Sequence, residues 1–393
     1  MAKLTIKDID FNNKTVLMRA DFNVPQDAAL SITDDTRIRA TLPTIKYILE
    51  HGVKRIVLMS HLGRPDGKVV AKFSLKPVAS RLEELLGEEV LFLNDCVGEN
   101  IKKSVDSSKE RIVLLENLRF HAEEEGNDAN FAKALATLGE VFVNDAFGTA
   151  HRAHASTEGV THFLKSAAGF LLGKEIEYLG SAVENPAKPF IVILGGAKVS
   201  DKIGMIENLL PKADAIIVGG GMAYTFLKAQ GRTIGNSKLE KDKLDLAKSI
   251  LTQAKSLGKD ILLPVDNLIV ETIGPDAKTE ICQEDIPDGK IAVDIGPKTI
   301  KLFKEKLKSA KTVVWNGPLG IFEMPAFSQG TREIAGFIAG LECTSIIGGG
   351  DTAAAIVKFN LEDKMTHIST GGGASLEYLE GKVLPGVAAL SDK

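Results

Sequence analysis

Phe190-Ile191-Val192-Ile193-Leu194-Gly195-Gly196-Ala197-Lys198 is the stretch on which the architecture of this chain turns. Five apolar residues without polar alternation read as a strand buried on both faces, the mark of a parallel sheet covered by helices. Two glycines then end the strand and a helical pattern follows. The same device returns at Val218-Gly219-Gly220-Gly221-Met222, at Ile347-Gly348-Gly349-Gly350-Asp351-Thr352 and at Ser369-Thr370-Gly371-Gly372-Gly373-Ala374. It is a reused strand-to-helix turn, with no constant period that would indicate a solenoid.

Working outward, further strands read at Ala215–Val218, Ile261–Pro264, Ile291–Asp294, Thr312–Trp315, Ser345–Ile347 and His367–Ser369. Upstream they read at Lys14–Arg19, Arg55–Ser60, Val90–Leu93, Arg111–Glu116 and Val141–Asn144, with helices at Leu42–His51, Pro77–Leu86 and Asn130–Leu138. Between the two sets, Phe170–Glu184 carries Leu171, Leu172, Ile176, Leu179 and Val183 at mostly helical spacing, and Asn185-Pro186 and Lys188-Pro189 end it. The pattern predicts an α/β protein of two doubly wound, Rossmann-like lobes joined by a helical hinge. The lobes are expected at residues 1–169 and 187–374, with 170–186 as the linker helix.

Composition narrows the function. The chain has 393 residues, is 44% hydrophobic and 25% charged, and carries a net charge of −4, which excludes disorder and fibrous repeats. Residues 1–168 hold 22 basic and 24 acidic side chains and the remainder 26 and 28, so neither half has a nucleic-acid or membrane footprint. Three scattered cysteines, Cys96, Cys282 and Cys343, form neither a disulfide framework nor a zinc motif, and a cytoplasmic protein is the expectation. No apolar run approaches the ~20 residues of a membrane span, and the N-terminal stretch lacks the apolar centre of a signal peptide. Nine of eleven arginines precede residue 169. Arginine grips carboxylate and phosphate with a planar fork, so the halves are expected to bind different things.

Ligands of open parallel sheets bind beyond the carboxyl ends of the strands. In the first half those ends read Asp21-Phe22-Asn23, then His61-Leu62-Gly63-Arg64-Pro65, then Asn117-Leu118-Arg119-Phe120, then Asp145 through His151-Arg152, with Arg37 following a polar loop at a helix start. Any one of these arginines alone reads as a solvated surface charge. Four at successive strand ends suit a small anion bearing a carboxylate and a phosphate. In the second half the strand ends are glycine, which lets main-chain amides approach a ligand, and the helix start behind it favours an anion. A nucleotide is the expected occupant, although neither a P-loop motif nor G-x-G-x-x-G is found at these turns. Asp351 reads either as a Mg²⁺ ligand or as a helix cap. Lys198 and Lys202, four apart, read as phosphate contacts on one helical face or as a solvated pair. Glu323 reads as a ribose contact or as plain surface. His151 and His154 flank Arg152 and lack a third metal ligand nearby, so they read as structural or anion-site histidines.

Taken together, Arg19-Ala20-Asp21-Phe22-Asn23-Val24-Pro25, Asp34-Asp35-Thr36-Arg37, the segments at His61–Arg64, Glu116–Phe120 and Asp145–His154, Gly195 through Lys202, Trp315-Asn316-Gly317-Pro318 and the glycine turns at 348–352 and 370–377 resemble the signatures of the phosphoglycerate kinase family over essentially the whole chain. The resemblance implies reversible, Mg²⁺-dependent phosphoryl transfer between 1,3-bisphosphoglycerate and ADP, giving 3-phosphoglycerate and ATP. It implies catalytic roles for Arg37, Lys202, Gly350 and Gly373. It implies acid-substrate contacts from Asp21, Phe22, Asn23, Arg37, His61, Leu62, Gly63, Arg64, Arg119 and Arg152. Nucleotide contacts would come from Gly196, Lys198, Lys202, Gly220, Ala292, Asn316, Glu323, Gly350, Asp351, Thr352 and Ala353, with Asp351 on the metal. It further implies a monomer whose C-terminal tail, 375–393, packs back on the first lobe. Two departures stand out: Ala292 replaces a glycine common in the family, and the loop Gln26–Ala29 lacks a glycine often found there.

Phosphoryl transfer asks mainly for positioning and charge neutralisation, and a carboxylate acceptor is already ionised, which fits anion clamps without an acid–base pair. Hinge closure is expected to join the substrates and exclude water. An NAD-dependent dehydrogenase and a non-catalytic anion- or nucleotide-binding protein are the competing readings.

Overall fold

The structure, a computed structural model, describes residues 2–393. The chain divides into two compact units, one of residues up to Glu177 with Val383–Lys393, the other Tyr178–Lys382.

The first unit is built on a six-stranded sheet of β1 (Thr15–Arg19), β2 (Arg55–Met59), β3 (Val90–Phe92), β4 (Ile112–Leu114), β5 (Val141–Asn144) and β6 (Ser166–Ala168), in spatial order β3-β4-β2-β1-β5-β6. Every pairing is parallel. Both faces are covered, so the strands bury both alternating sets of side chains: Val16 and Met18 pack with Ile56 and Leu58 on one face, Leu17 with Val57 and Met59 on the other. Strand β6 escapes the sequence reading because Ser166, Ala167 and Ala168 carry no β-branched side chain. The helix expected at Leu42 begins at Thr36 and includes Pro43. Its first turns are mostly polar, and only Ile38 and Thr41 face inward there.

The second unit repeats the plan with β7 (Phe190–Leu194), β8 (Ala215–Val218), β9 (Asp260–Leu262), then β13 (Thr312–Asn316), β14 (Thr344–Gly348) and β15 (His367–Ile368) in the order β15-β14-β13-β7-β8-β9, again all parallel. Trp315, the only tryptophan, is fully buried there. Removing its ~200 Å² from water is worth about 5 kcal/mol at ~25 cal/mol per Å². Between β9 and β13 the chain departs from parallel order. The strands β10 (Asn267–Val270), β11 (Glu280–Cys282) and β12 (Ile291–Ile295) make a separate antiparallel sheet, β11-β10-β12. The strand expected at 291–294 therefore belongs to this small sheet.

A helix over Phe170–Glu184 carries the chain from one unit to the other, and the division falls inside it. Its start is anchored in the first unit: Phe170 N–H donates to Thr44 Oγ1 at 3.0 Å and Leu172 N–H to Asp145 Oδ1 at 3.1 Å. The tail joins the first unit from Val383 onward, where Gly386 N–H bonds Ala150 O at 2.9 Å and Asn144 Nδ2 bonds Gly386 O at 3.1 Å. The helix Gly373–Leu379 lies in the second unit, held by Asn208 Nδ2 on Leu379 O at 2.7 Å, so the returning segment is shorter than 375–393.

Candidate active site

At the carboxyl edge of the first sheet, three loops are tied into one platform. Phe22 N–H donates to Ser60 Oγ at 2.8 Å, and Asn23 Oδ1 accepts from Gly63 N–H at 2.9 Å, joining the loops after β1 and β2. Asn117 joins the loop after β4, giving Nδ2 to Leu62 O at 2.7 Å and to Phe73 O at 2.9 Å, while its Oδ1 takes Arg119 N–H at 3.0 Å. Arg119 Nη1 donates to Gly63 O at 3.0 Å. Phe22 and Leu62 are buried in the core, so only their main chain faces the platform.

The cationic groups on this edge feel one another. Burial first, then the guanidiniums of Arg19, Arg119 and Arg37, hold the His61 imidazole well below its usual range. Burial and Arg19, Arg119 and Arg152 bring His154 down to about 4. Both rings are therefore neutral near pH 7. Arg37 Nη1 meets both Asp21 carboxylate oxygens at 3.1 and 3.2 Å. Among the described residues the exposed guanidiniums of Arg64 and Arg152 take no hydrogen bond or ion pair. Uncompensated guanidiniums gathered at one sheet edge are a binding field for a small polyanion.

Beneath the platform lies a set of residues that the sequence reading left without a role. Arg19 is fully buried, with Nε on Ser156 Oγ at 2.8 Å and Nη1 on Ala20 O. Ser156 passes the contact on, giving its hydroxyl to Glu124 Oε1 at 2.6 Å and its N–H to Oε2 at 3.0 Å. Burial pushes the Glu124 carboxyl up, while Arg19 and Ser156 pull it down. Arg19 Nη2 stands 3.2 Å from His61 Nδ1. A guanidinium only donates, so Nδ1 accepts and the neutral ring carries its proton on Nε2. Arg19 thus makes His61 an Nε2–H donor. No local motif signals this, because Arg19 and Ser156 are 137 positions apart.

In the second unit the strand order reverses between β7 and β13, the crevice where α/β sheets bind ligands. The glycines do something different here from what their repetition suggests. Gly195 N–H bonds Asn316 O, Gly196 N–H bonds Pro318 O, Gly219 N–H bonds Leu194 O and Gly220 N–H bonds Leu319 O, all at 2.9–3.0 Å. These amides are spent in locking the turns together. A Cβ on Gly317 (φ 97°) would overlap the Gly195 carbonyl, and one on Gly220 (φ 64°) would lie 2.7 Å from Gly196 N. The free amides are elsewhere. The ladder of the helix Gly350–Lys358 opens with Ala353 N–H on Gly349 O at 3.1 Å, which leaves the N–H groups of Gly350, Asp351 and Thr352 ahead of it. Ala353 therefore has no amide to offer a ligand.

Lys202 donates to Asn316 Oδ1, and burial lowers its ammonium against the pull of Asp201, Asp351 and Glu380. Asn316 Nδ2 is buried and has no hydrogen-bond partner. Lys198 is not on a helix with Lys202, because the helical turn begins only at Ser200; it is exposed, and its ammonium takes no hydrogen bond or ion pair among the described residues. The turn is pinned by Glu240, whose carboxylate accepts from Val199 N–H and from the Ser200 hydroxyl at 2.6 Å. Asp351 is exposed in the first helical turn and is not the cap, which is Gly349. Its carboxylate takes no hydrogen bond or ion pair among the described residues, which suits an oxygen ligand for a hard dication. Thr352 is buried, and its hydroxyl receives Gly317 N–H at 2.6 Å. Glu323 is exposed, and Ile321 N–H ties its loop to Val293 O at 2.9 Å on the strand that buries Ala292. Gly373 opens the Gly373–Leu379 helix beyond β15.

A family model described as phosphoglycerate kinase matches residues 6–382. A phosphoglycerate kinase of Koribacter versatilis is 58% identical over 404 residues, covering 100% of both chains, and one of Moorella thermoacetica is 55% identical over 395 residues with the same coverage. Among solved structures, phosphoglycerate kinase from Coxiella burnetii is 44% identical with a TM-score of 0.92, and that from Pyrococcus horikoshii OT3 is 34% identical with a TM-score of 0.83, each match covering 98% of both chains.

Proposed function

The chain belongs to the phosphoglycerate kinase family, phosphotransferases with a carboxyl acceptor, and from that premise we propose that it moves the acyl phosphate of 1,3-bisphosphoglycerate to ADP, reversibly, as a cytoplasmic monomer of glycolysis. The observation that carries this reading is the guanidinium edge of the first sheet, with Arg64 and Arg152 unpaired among the described residues. In the transfer, the bond from phosphorus to the carboxyl oxygen breaks while a bond to a β-phosphate oxygen of ADP forms. The leaving group is a carboxylate, so no proton moves and no general base is needed. That matches a site whose two buried histidines are both held neutral.

On this reading Arg64, Arg119 and Arg152 fix the phosphate and carboxylate of the acid. His61 donates through Nε2–H, and Asn23 and Asp21 orient it. Arg37, held against Asp21, neutralises the oxygens of the transferring group together with Lys202. The amides of Gly350, Asp351 and Thr352 receive nucleotide phosphate, Asn316 Nδ2 is a further donor, and Glu323 takes the ribose. Asp351 would hold Mg²⁺, which supplies charge neutralisation for the polyphosphate when bound. The connecting helix Phe170–Glu184 is the proposed hinge that lets the two ligands meet.

A coupled assay for ATP-dependent phosphorylation of 3-phosphoglycerate tests the reading, with a Mg²⁺-free control. Turnover that needs both 3-phosphoglycerate and Mg²⁺ is expected. Tight binding of both substrates without turnover would refute the kinase assignment in favour of a binding protein.

A further inference from the structure

The structure points to a second metal site, in the first unit: we propose that Asp95, Cys96 and His121 bind a soft divalent cation of the Zn²⁺ class. Asp95 and Cys96 lie just past the end of β3, and His121 lies past the turn that follows β4. Those strands are parallel neighbours in the register Val90↔Ile112 to Phe92↔Leu114, so their carboxyl ends bring together residues that are 26 positions apart for Asp95 and His121. One ligand atom of each lies within 4.8 Å of the others. A tetrahedral zinc with bonds of ~2.0–2.3 Å sets its ligand atoms about 3.5 Å apart, so the three need only small movements. Exposure is graded outward. Cys96 is buried, the His121 side chain is 28% exposed and that of Asp95 49%, so the fourth position opens to water.

The surroundings favour a dication. His121 Nε2 already stands 2.7 Å from Asp95 Oδ1, and Cys96 N–H fixes that same oxygen at 2.7 Å. The carboxylates of Asp95, Glu124 and Glu116 set a negative field at the Cys96 sulfur. That field attracts a cation. Cys96 Sγ–H donates to Glu116 O at 2.9 Å. On binding, that S–H bond breaks, the sulfur–metal bond forms and one proton goes to solvent; the Nε2–H proton facing Asp95 leaves as solvent protonates Nδ1, so a neutral imidazole releases none net. Thiolate, imidazole and carboxylate together select zinc-like ions over Mg²⁺, which sets this site apart from the hard-oxygen chemistry proposed for Asp351. Occupancy would tie Cys96 to the residue that ends the Leu118–Phe120 turn, and so to the turn bearing Arg119.

The test uses the full-length, nucleotide-free protein. Titration with Co²⁺ should raise a thiolate-to-cobalt charge-transfer band and tetrahedral ligand-field bands that saturate at one equivalent, and Zn²⁺ should displace them. Calorimetry of Zn²⁺ binding in two buffers should show about one proton released. Cys96→Ser should abolish the charge-transfer band, and His121→Asn should weaken Zn²⁺ roughly tenfold or more. Cys282→Ser and Cys343→Ser should change neither. Absence of the band in the wild type, or its survival in Cys96→Ser, overturns the proposal. Should Cys96→Ser not fold, His121→Asn and Asp95→Asn decide it, because both side chains are partly exposed, and unchanged Zn²⁺ affinity in both also overturns the proposal.

Discussion

Asp294 should make the stability of the second unit fall as pH rises, and Asp294→Asn should remove that part of the fall. The carboxyl is 1% exposed at the end of β12, where Oδ1 accepts Ile295 N–H at 2.9 Å and Oδ2 accepts Gly330 N–H at 2.6 Å at the start of the helix Gln329–Ala339. Burial outweighs these two bonds and raises its pKa from 3.8 to about 7. A raised acid binds its proton more tightly in the native state. Its contribution is fully present below pH ~4, where both states are protonated, and is lost as pH rises to about 7. Roughly three pH units at ~1.4 kcal/mol each make about 4 kcal/mol in all, of which about 2–3 kcal/mol develops between pH 5 and 8. Asparagine keeps the shape, does not titrate, and gives up about 1 kcal/mol by mismaking one hydrogen bond. The variant should therefore be near parity with the wild type at pH 5 and ahead by about 2–3 kcal/mol at pH 8. Urea unfolding followed by fluorescence of Trp315 reads the second unit directly, since the chain has one tryptophan. Asp145, in the first unit and likewise raised to about 7, is present in both proteins and drops out of the difference. A wild-type-minus-variant difference that stays level from pH 5 to pH 8 would show that the Asp294 carboxyl is not held protonated by its burial.

Glu124→Ala should cost about 3–5 kcal/mol, because it leaves the Arg19 guanidinium buried without its acid; a loss below about 1 kcal/mol in denaturant unfolding would show that the network carries no net charge pairing. Gly317→Ala should cost at least about 2 kcal/mol, since its φ of 97° is strained for alanine and the new methyl meets the Gly195 carbonyl; an unshifted urea midpoint would mean that the two turns separate freely. On the proposed reaction, Lys202→Ala should lower kcat by about 10²-fold or more with nucleotide affinity much less affected, and an unchanged kcat would remove Lys202 from the chemistry. Arg37→Ala should lower both kcat and acid-substrate affinity in steady-state kinetics, and an effect on KM alone would make it an anchor only.

Much of this molecule is readable one residue at a time, for identifiable reasons. Phe190–Leu194 is apolar throughout because both of its faces are covered, and glycines follow it because two turns meet there main chain to main chain. The helix Phe170–Glu184 shows its boundaries through its periodicity and the prolines beyond it. The segments that stayed hidden lack such signals. Ser166–Ala168 is a strand because its neighbour β5 offers a hydrogen-bonding edge, not because of its side chains. The antiparallel strands at 267–270 and 280–282 are four and three residues long, too short for a period to mark them. Lys198 and Lys202 share a helical spacing but not a helix, since the chain enters the helical turn only at Ser200.

The sequence alone determined the direction of the strands, and with it the edge on which the ligand groups fall, because strand, glycine turn and helix succeed one another in a fixed local order. It also determined which half carries forked cations and which carries bare glycine. Which groups are free to act is set by the folded packing. The amides at Gly196 and Gly220 are consumed by neighbouring turns, those at Gly350–Thr352 are not, His61 receives its tautomer from Arg19, and Cys96 meets His121 across two strands. Each outcome depends on burial and on hydrogen bonds between residues far apart in the chain, and local spacing carries no record of either.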